Sequence, residues 1–395
     1  MAEKSDIEWT DATWNPITGC TLVSEGCRNC YAAQLAATRL KNTPARKGLA
    51  RKNAQGEAKF TGEVRFNEQW LTQPLRWKKP RRIFVCAHAD LFHEDVPDDW
   101  IDKIFAVMAM CPQHTFQVLT KRPKRMRDYL AGDCARQRIA WIETPLVMNL
   151  HAPGWRSESI HGKNRSRAIA AGLDWPLSNL WLGVSVENQA TACERIPPLL
   201  ETPAVIRFVS AEPLLGPLNL TGVDWEDGDS IANVLEPDTW LQLWIDGWKG
   251  SEGCVQTELE SFNDWYGTSF AAEEDIPDKP GINKIDWLIV GGESGPGARP
   301  IDKEWVTQLR DDCANAGTAF FFKQWGSWAP GENAEVFKGK RHCAWWFADT
   351  WSFDMIDMAD PEACWMDPPD AYKVGKKVSG RTLEGVVHDA FPGGA

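Results

Sequence analysis

Three cysteines, Cys20, Cys27 and Cys30, fall within eleven residues as C-x6-C-x2-C, in the stretch Asn15-Pro16-Ile17-Thr18-Gly19-Cys20 followed by Ser24-Glu25-Gly26-Cys27-Arg28-Asn29-Cys30-Tyr31-Ala32. No fourth cysteine or histidine lies near them in the sequence. A structural zinc closes its tetrahedron with four protein ligands, and an electron-carrying [4Fe-4S] cluster uses four thiolates. A sequential trio therefore points to a cluster or metal with one open position. The glycines let the chain wrap such a group, and the Ala-rich run over residues 31–40 predicts a helix directly after it. Of the other eight cysteines, Cys86 and Cys111 lie in apolar runs and read as core thiols, and none completes a second C-x2-C.

The elements that must position this loop are legible as short apolar runs: residues 83–87, 115–120, 180–186, 205–210, 286–291 and 319–323. They read as buried parallel strands. Helical spacing of Trp100, Ile101, Ile104, Phe105 and Met108 predicts a helix over 98–110, and a second is expected over 302–316 with Asp302 as N-cap. Alternation of this kind predicts an α/β fold, a partial (β/α) TIM-like barrel of six or seven parallel strands. Polar groups follow nearly every run: Asp90, Lys121-Arg122, Glu187-Asn188, Ala211-Glu212 and Gly292-Glu293-Ser294. In parallel α/β folds the loops at the carboxyl ends of the strands build the site, so one mouth is expected to gather these groups. Segments at about 42–61, 134–174 and 221–285 break the alternation and read as insertions. The expected organisation is a barrel over 1–325 and a Trp-rich appendage over 326–395.

Three cysteines on the loop after the first strand of a (β/α) barrel resemble the radical S-adenosylmethionine superfamily. The phrases Trp14-Asn15-Pro16, Asp90-Leu91-Phe92-His93-Glu94, Leu119-Thr120-Lys121-Arg122-Pro123, Gly183-Val184-Ser185-Val186-Glu187-Asn188, Ser210-Ala211-Glu212-Pro213-Leu214 and Gly291-Gly292-Glu293-Ser294-Gly295 resemble the phage-borne three-cysteine-motif proteins over about residues 7–326. The chain differs from the superfamily's usual C-x3-C-x2-C in its longer first spacing and in Asn29, where an aromatic residue usually stands. The resemblance implies that Cys20, Cys27 and Cys30 ligate a [4Fe-4S] cluster whose fourth iron chelates S-adenosylmethionine, with an external electron donor of flavodoxin or ferredoxin type. It also implies that Ser185, Glu187 and Asn188 meet the ribose hydroxyls of that cofactor. Asp90, His93, Lys121, Arg122, Glu212 and Glu293 would face substrate, with Asp90, Lys121, Glu212 and Glu293 as the catalytic candidates.

Composition bounds the function classes. With 395 residues, 43% hydrophobic and 25% charged, the chain is neither disordered nor low-complexity. It has no run of about 18 apolar residues and no secretory pattern at Met1, so no membrane association and a cytoplasmic location are expected. P-loop and Gly-x-Ser-x-Gly hydrolase motifs are absent. The net charge is −12, yet residues 39–82 hold 13 Lys/Arg against 3 Asp/Glu, while 221–285 hold 15 Asp/Glu against 3 Lys/Arg. The basic tract makes a nucleic-acid base or nucleotide the leading substrate class. Two other readings stay open at this stage. One is a non-catalytic nucleic-acid or protein-binding barrel with a structural cluster or zinc, and the other a cluster-free barrel enzyme using Glu187, Glu212 and Glu293.

Overall fold

The computed structural model describes residues 4–131, 135–139, 175–224, 231–236, 283–295, 297–334, 339–358, 360 and 368–394. Most of the expected insertions at 134–174 and 221–285 lies outside the described residues. Seven strands form one sheet: β1 (Ala12–Trp14), β2 (Arg82–Val85), β3 (Thr115–Thr120), β4 (Leu180–Ser185), β5 (Ile206–Ala211), β6 (Trp287–Gly291) and β7 (Ala319–Gln324). They lie side by side in chain order. The pairings β1–β2, β2–β3, β3–β4, β5–β6 and β6–β7 are all parallel. Helices α1 (Tyr31–Ala37), α2 (Asp98–Ala109), α3 (Pro123–Leu130), α4 (Gln189–Leu200) and α5 (Lys303–Ala316) follow β1, β2, β3, β4 and β6. This is the expected partial (β/α) barrel. Strands such as Trp287–Gly291 are buried at every position, so they read as unbroken apolar runs rather than alternating ones. Asp302 caps α5 as expected, accepting from the Glu304 N–H at 2.6 Å.

The chain divides into two compact units: Met1–Ser185 with Thr202–Ile206, and Val186–Glu201 with Arg207–Ala395. In the first, the turn before the hairpin at 50–60 is fixed to the end of β2. Arg46 is buried, lies over the Trp70 ring and donates from Nε to His88 Nδ1 at 3.0 Å. The stretch 42–61, expected as an insertion, contains a β-hairpin, Ala50–Lys52 paired with Ala58–Phe60.

In the second unit, the described residues after 326 form regular structure that their sequence does not signal. Strands β8 (Trp328–Ala329), β9 (Lys340–Phe347), β10 (Thr350–Asp357) and β11 (Ala371–Lys373) form an antiparallel sheet in the order β8-β11-β9-β10. It packs through Trp346 and Trp351 on Trp305 of α5. Tryptophan serves packing here: Trp287, Trp325 and Trp328 are buried, and each indole N–H donates to a backbone carbonyl, of Ala390, Thr382 and Ala298. Among the described residues no helix is long and apolar enough to cross a membrane.

The His88 contact has a pH signature. Burial and the Arg46 charge push the imidazole down to about 4, because Nδ1 must stay unprotonated to accept from a guanidinium. Folded His88 thus resists a proton that the unfolded chain takes up below its ordinary 6.5. Its contribution is complete above that pH and is lost as pH falls toward 4. Urea unfolding should show about 2 kcal/mol less stability from this group at pH 4.5 than at pH 7. His88→Gln should flatten that slope, leaving the part due to His93, His114 and His388, which burial also holds down. An unchanged slope in the variant would contradict this assignment.

Candidate functional site

Gly19 turns the chain from β1 into the cysteine loop. Its φ is +99°, and a Cβ there would fall 2.0 Å from the carbonyl oxygen of Glu63, so only glycine fits. Its N–H donates to the His88 carbonyl at 3.1 Å, fixing the loop against the end of β2. At the far end Cys30 is the N-cap residue of α1, and the Gln34 N–H donates to its carbonyl at 3.0 Å. Such a helix start favours negative charge, which suits a thiolate.

All three cysteines are half-buried and free of disulfides. Burial, followed by the nearby Asp90 carboxylate, pushes the Cys20 thiol up to about 12, while Arg122 pulls it back. Negative charge on Cys27 and Cys30 would raise Cys20 further. Burial also raises Cys30, against the helix N–H groups and Lys121, which lower it. Among the described residues, no three His, Cys, Asp or Glu side chains are gathered as for one metal ion. A single zinc with bonds of about 2.3 Å draws its sulfurs to within about 4 Å of one another, whereas a cubane spaces its corner thiolates farther apart. Three soft thiols on one loop suit the corners of a cluster.

Behind the loop stands a buried network built from the ends of β2 and β3. The side chains of Asp90 and Arg122 are 7% and 6% exposed and pair at 3.1 Å. Asp90 also accepts from Thr120 Oγ1 at 2.7 Å and from the Lys121 N–H at 3.0 Å. Arg122 reaches forward as well: Nη2 donates to Thr21 Oγ1 at 2.5 Å, and Nη1 lies 3.8 Å from Cys20 Sγ. Its Nε sits 2.8 Å from both carboxylate oxygens of Glu94. Thr21 Oγ1 is also 3.0 Å from His93 Nε2, and Lys121 Nζ donates to Ser24 Oγ at 3.2 Å. Asp90, His93, Lys121 and Arg122 thus converge on the cysteine loop. Among them, the sequence left the roles of Thr21 and Glu94 unassigned. Asp90 and His93 also hold the segment before α2, accepting from the Phe92 N–H at 3.0 Å and the Asp95 N–H at 3.1 Å.

The second unit holds the remaining candidates in separate ion pairs. Glu187 and Arg195, both 1% exposed, pair at 3.1 Å. The Asn188 side chain caps α4, accepting from the Thr191 N–H at 3.1 Å. Glu212 pairs with Lys323 at 2.6 Å, and Glu293 with Arg299 at 2.8 Å. Ser185 closes β4 in the first unit and is buried.

The family described as Protein of unknown function (DUF5131) matches residues 4–392. The chain belongs to this family. Neither a curated protein nor a solved structure matches it.

Two changes to the network should separate its buried and exposed halves. Arg122→Gln leaves Asp90 buried without its cation and should cost about 3–5 kcal/mol in denaturant unfolding. Glu94 is 66% exposed; Glu94→Gln should therefore change stability by less than about 1 kcal/mol. Equal effects would mean that burial of the Asp90–Arg122 pair does not set the energetics.

Proposed function

We propose that this chain is a radical S-adenosylmethionine enzyme in which Cys20, Cys27 and Cys30 hold a [4Fe-4S] cluster with one iron left for S-adenosylmethionine. The observation that carries the reading is the placement of three free, half-buried thiols on one loop after the first strand of a partial parallel barrel. Three thiolates leave one corner of a cubane without a protein ligand, and that corner is where chemistry differs from simple electron carriage. When bound, the cluster and S-adenosylmethionine supply one-electron cleavage of a carbon–sulfur bond, and through it hydrogen-atom abstraction from a substrate. The electron comes from an external donor of flavodoxin or ferredoxin type.

The chain's own residues have distinct tasks in this reading. Arg122 offsets the negative charge of Cys20 and, through Thr21, fixes the backbone beside it. The start of α1 does the same for Cys30. Lys121 ties down Ser24, midway between the first two cysteines, so both long-range cations serve the same loop. Asp90 keeps the two cations' chain segment in place by accepting from Thr120, Lys121 and Arg122 together. A group that makes reactive species needs such a loop held rigid, since a shift of the bound partner by about 1 Å costs on the order of a hundredfold in rate.

The reconstituted protein, reduced under anaerobic conditions, should convert S-adenosylmethionine to 5'-deoxyadenosine, measured by mass spectrometry. Cys27→Ala should bring this to background with an unchanged circular dichroism spectrum, because the apolar strands and not the loop supply the core burial. Two results would contradict the proposal: a cluster-loaded wild type that never cleaves the cofactor, or equal cleavage by the variant.

A further inference from the structure

Nine of the thirteen cations of the basic tract fall into two groups. Arg46 holds His88, Arg65 pairs with Glu63, Arg82 pairs with Asp11, and Lys59 pairs with Glu57. These build the fold. Arg39, Lys41, Lys47, Arg51 and Lys52 are exposed, and among the described residues none has a side-chain partner. They lie after α1 and on the first strand of the hairpin, Ala50–Lys52. Five unpaired cations in a chain of net charge −12 are a local reversal of sign, and like charges held together destabilise a free surface.

Their position is specific. Both hairpin strands pack on α1, the helix capped by Cys30, and Lys59 Nζ donates to the Arg28 carbonyl at 2.9 Å, inside the cysteine loop. On α1 itself, one residue past Cys30, Tyr31 is 52% exposed. Its hydroxyl is fixed to the Ala87 carbonyl at 2.6 Å, so the ring is held in place. Fixed aromatic surface beside a track of cations is what single-stranded nucleic acid uses, with phosphates on the cations and a base stacked on the ring.

We infer that the hairpin and α1 form a docking surface for single-stranded nucleic acid, with its phosphates on Arg39, Lys41, Lys47, Arg51 and Lys52 and a base stacked on Tyr31 beside the cysteine loop. The inference deepens the functional reading above by naming its substrate class. It rests on that reading for what happens to the base and for the choice of a single strand, whereas binding itself needs no cluster. A single strand is favoured over a duplex because chemistry on a base requires it to be unstacked from its partner. The same tract holds a built-in control. Lys78 and Lys79 are equally exposed but precede Arg82, the first residue of β2, and so lie at the amino ends of the parallel β1 and β2. The cysteine loop leaves from the carboxyl ends.

The test is fluorescence anisotropy with a labelled single-stranded 20-mer, as RNA and as DNA, titrated with full-length protein across a salt series. Wild type should bind, with affinity falling as salt rises. Arg51→Glu with Lys52→Glu, or the milder Arg51→Gln with Lys52→Gln, should weaken binding at least tenfold at 0.1 M salt. The Gln pair should lower the log–log salt slope by about 1.4, from about 0.7 per lost phosphate contact on a single strand. Tyr31→Leu should weaken binding about tenfold with little change of slope, as expected for lost stacking. Lys78→Glu with Lys79→Glu should bind like wild type. Cys27→Ala should also bind like wild type, so that loss of cofactor cleavage and loss of binding are separate failures. Hairpin variants that bind as wild type, a control pair that loses as much, or hairpin-dependent binding of polyglutamate or phosphatidylserine vesicles in place of the oligonucleotide would overturn the inference.

Discussion

The buried ion pair between Asp90 and Arg122 is the constraint on which the first unit's functional end depends. Two charges that have left water are stable only when every remaining polar contact is made. Here that requirement recruits Thr120 and the Lys121 N–H for the carboxylate, and Glu94, Thr21 and the Cys20 sulfur for the guanidinium. Satisfying one pair therefore fixes the segments after β2 and β3 and the first part of the cysteine loop together. The loop's two large apolar side chains, Leu22 and Val23, are exposed, so it takes its position from charge rather than from apolar burial.

The second unit uses the same device without the convergence. Glu187, Glu212 and Glu293 each follow a strand and each meet one cation, from α4, from β7 and from the loop before α5. The cation donors are supplied by separate elements, so these pairs hold their own strand ends. Within the first unit, Asp90, His93, Lys121 and Arg122 are linked by hydrogen bonds and ion pairs to Thr21, Ser24 and Cys20 of the cysteine loop. Glu187 and Asn188 are already engaged by Arg195 and by the start of α4.

Six of the seven strands were legible because strands buried on both faces must be apolar throughout. The first, Ala12–Trp14, has three residues with Thr13 at its centre, too short for any run, and only the position of the cysteine loop implied it. The antiparallel sheet near the C-terminus escaped because its alternation is masked: Trp345 and Trp346 are neighbours on opposite faces of β9, and both strand faces carry aromatic residues. Of the site, the residue types at the strand ends could be read, but not their pairing. Arg122 and Glu94 are 28 residues apart and Lys323 and Glu212 are 111 apart, and only the sheet order brings such residues together.

The most direct test of a three-thiolate cluster open at one corner is electron paramagnetic resonance of the anaerobically reconstituted and reduced protein, with and without S-adenosylmethionine. The account predicts a reduced [4Fe-4S] signal whose g values shift when S-adenosylmethionine is added, and which is absent in Cys20→Ala. No iron retained by the wild type, or a cluster signal indifferent to S-adenosylmethionine, would contradict it.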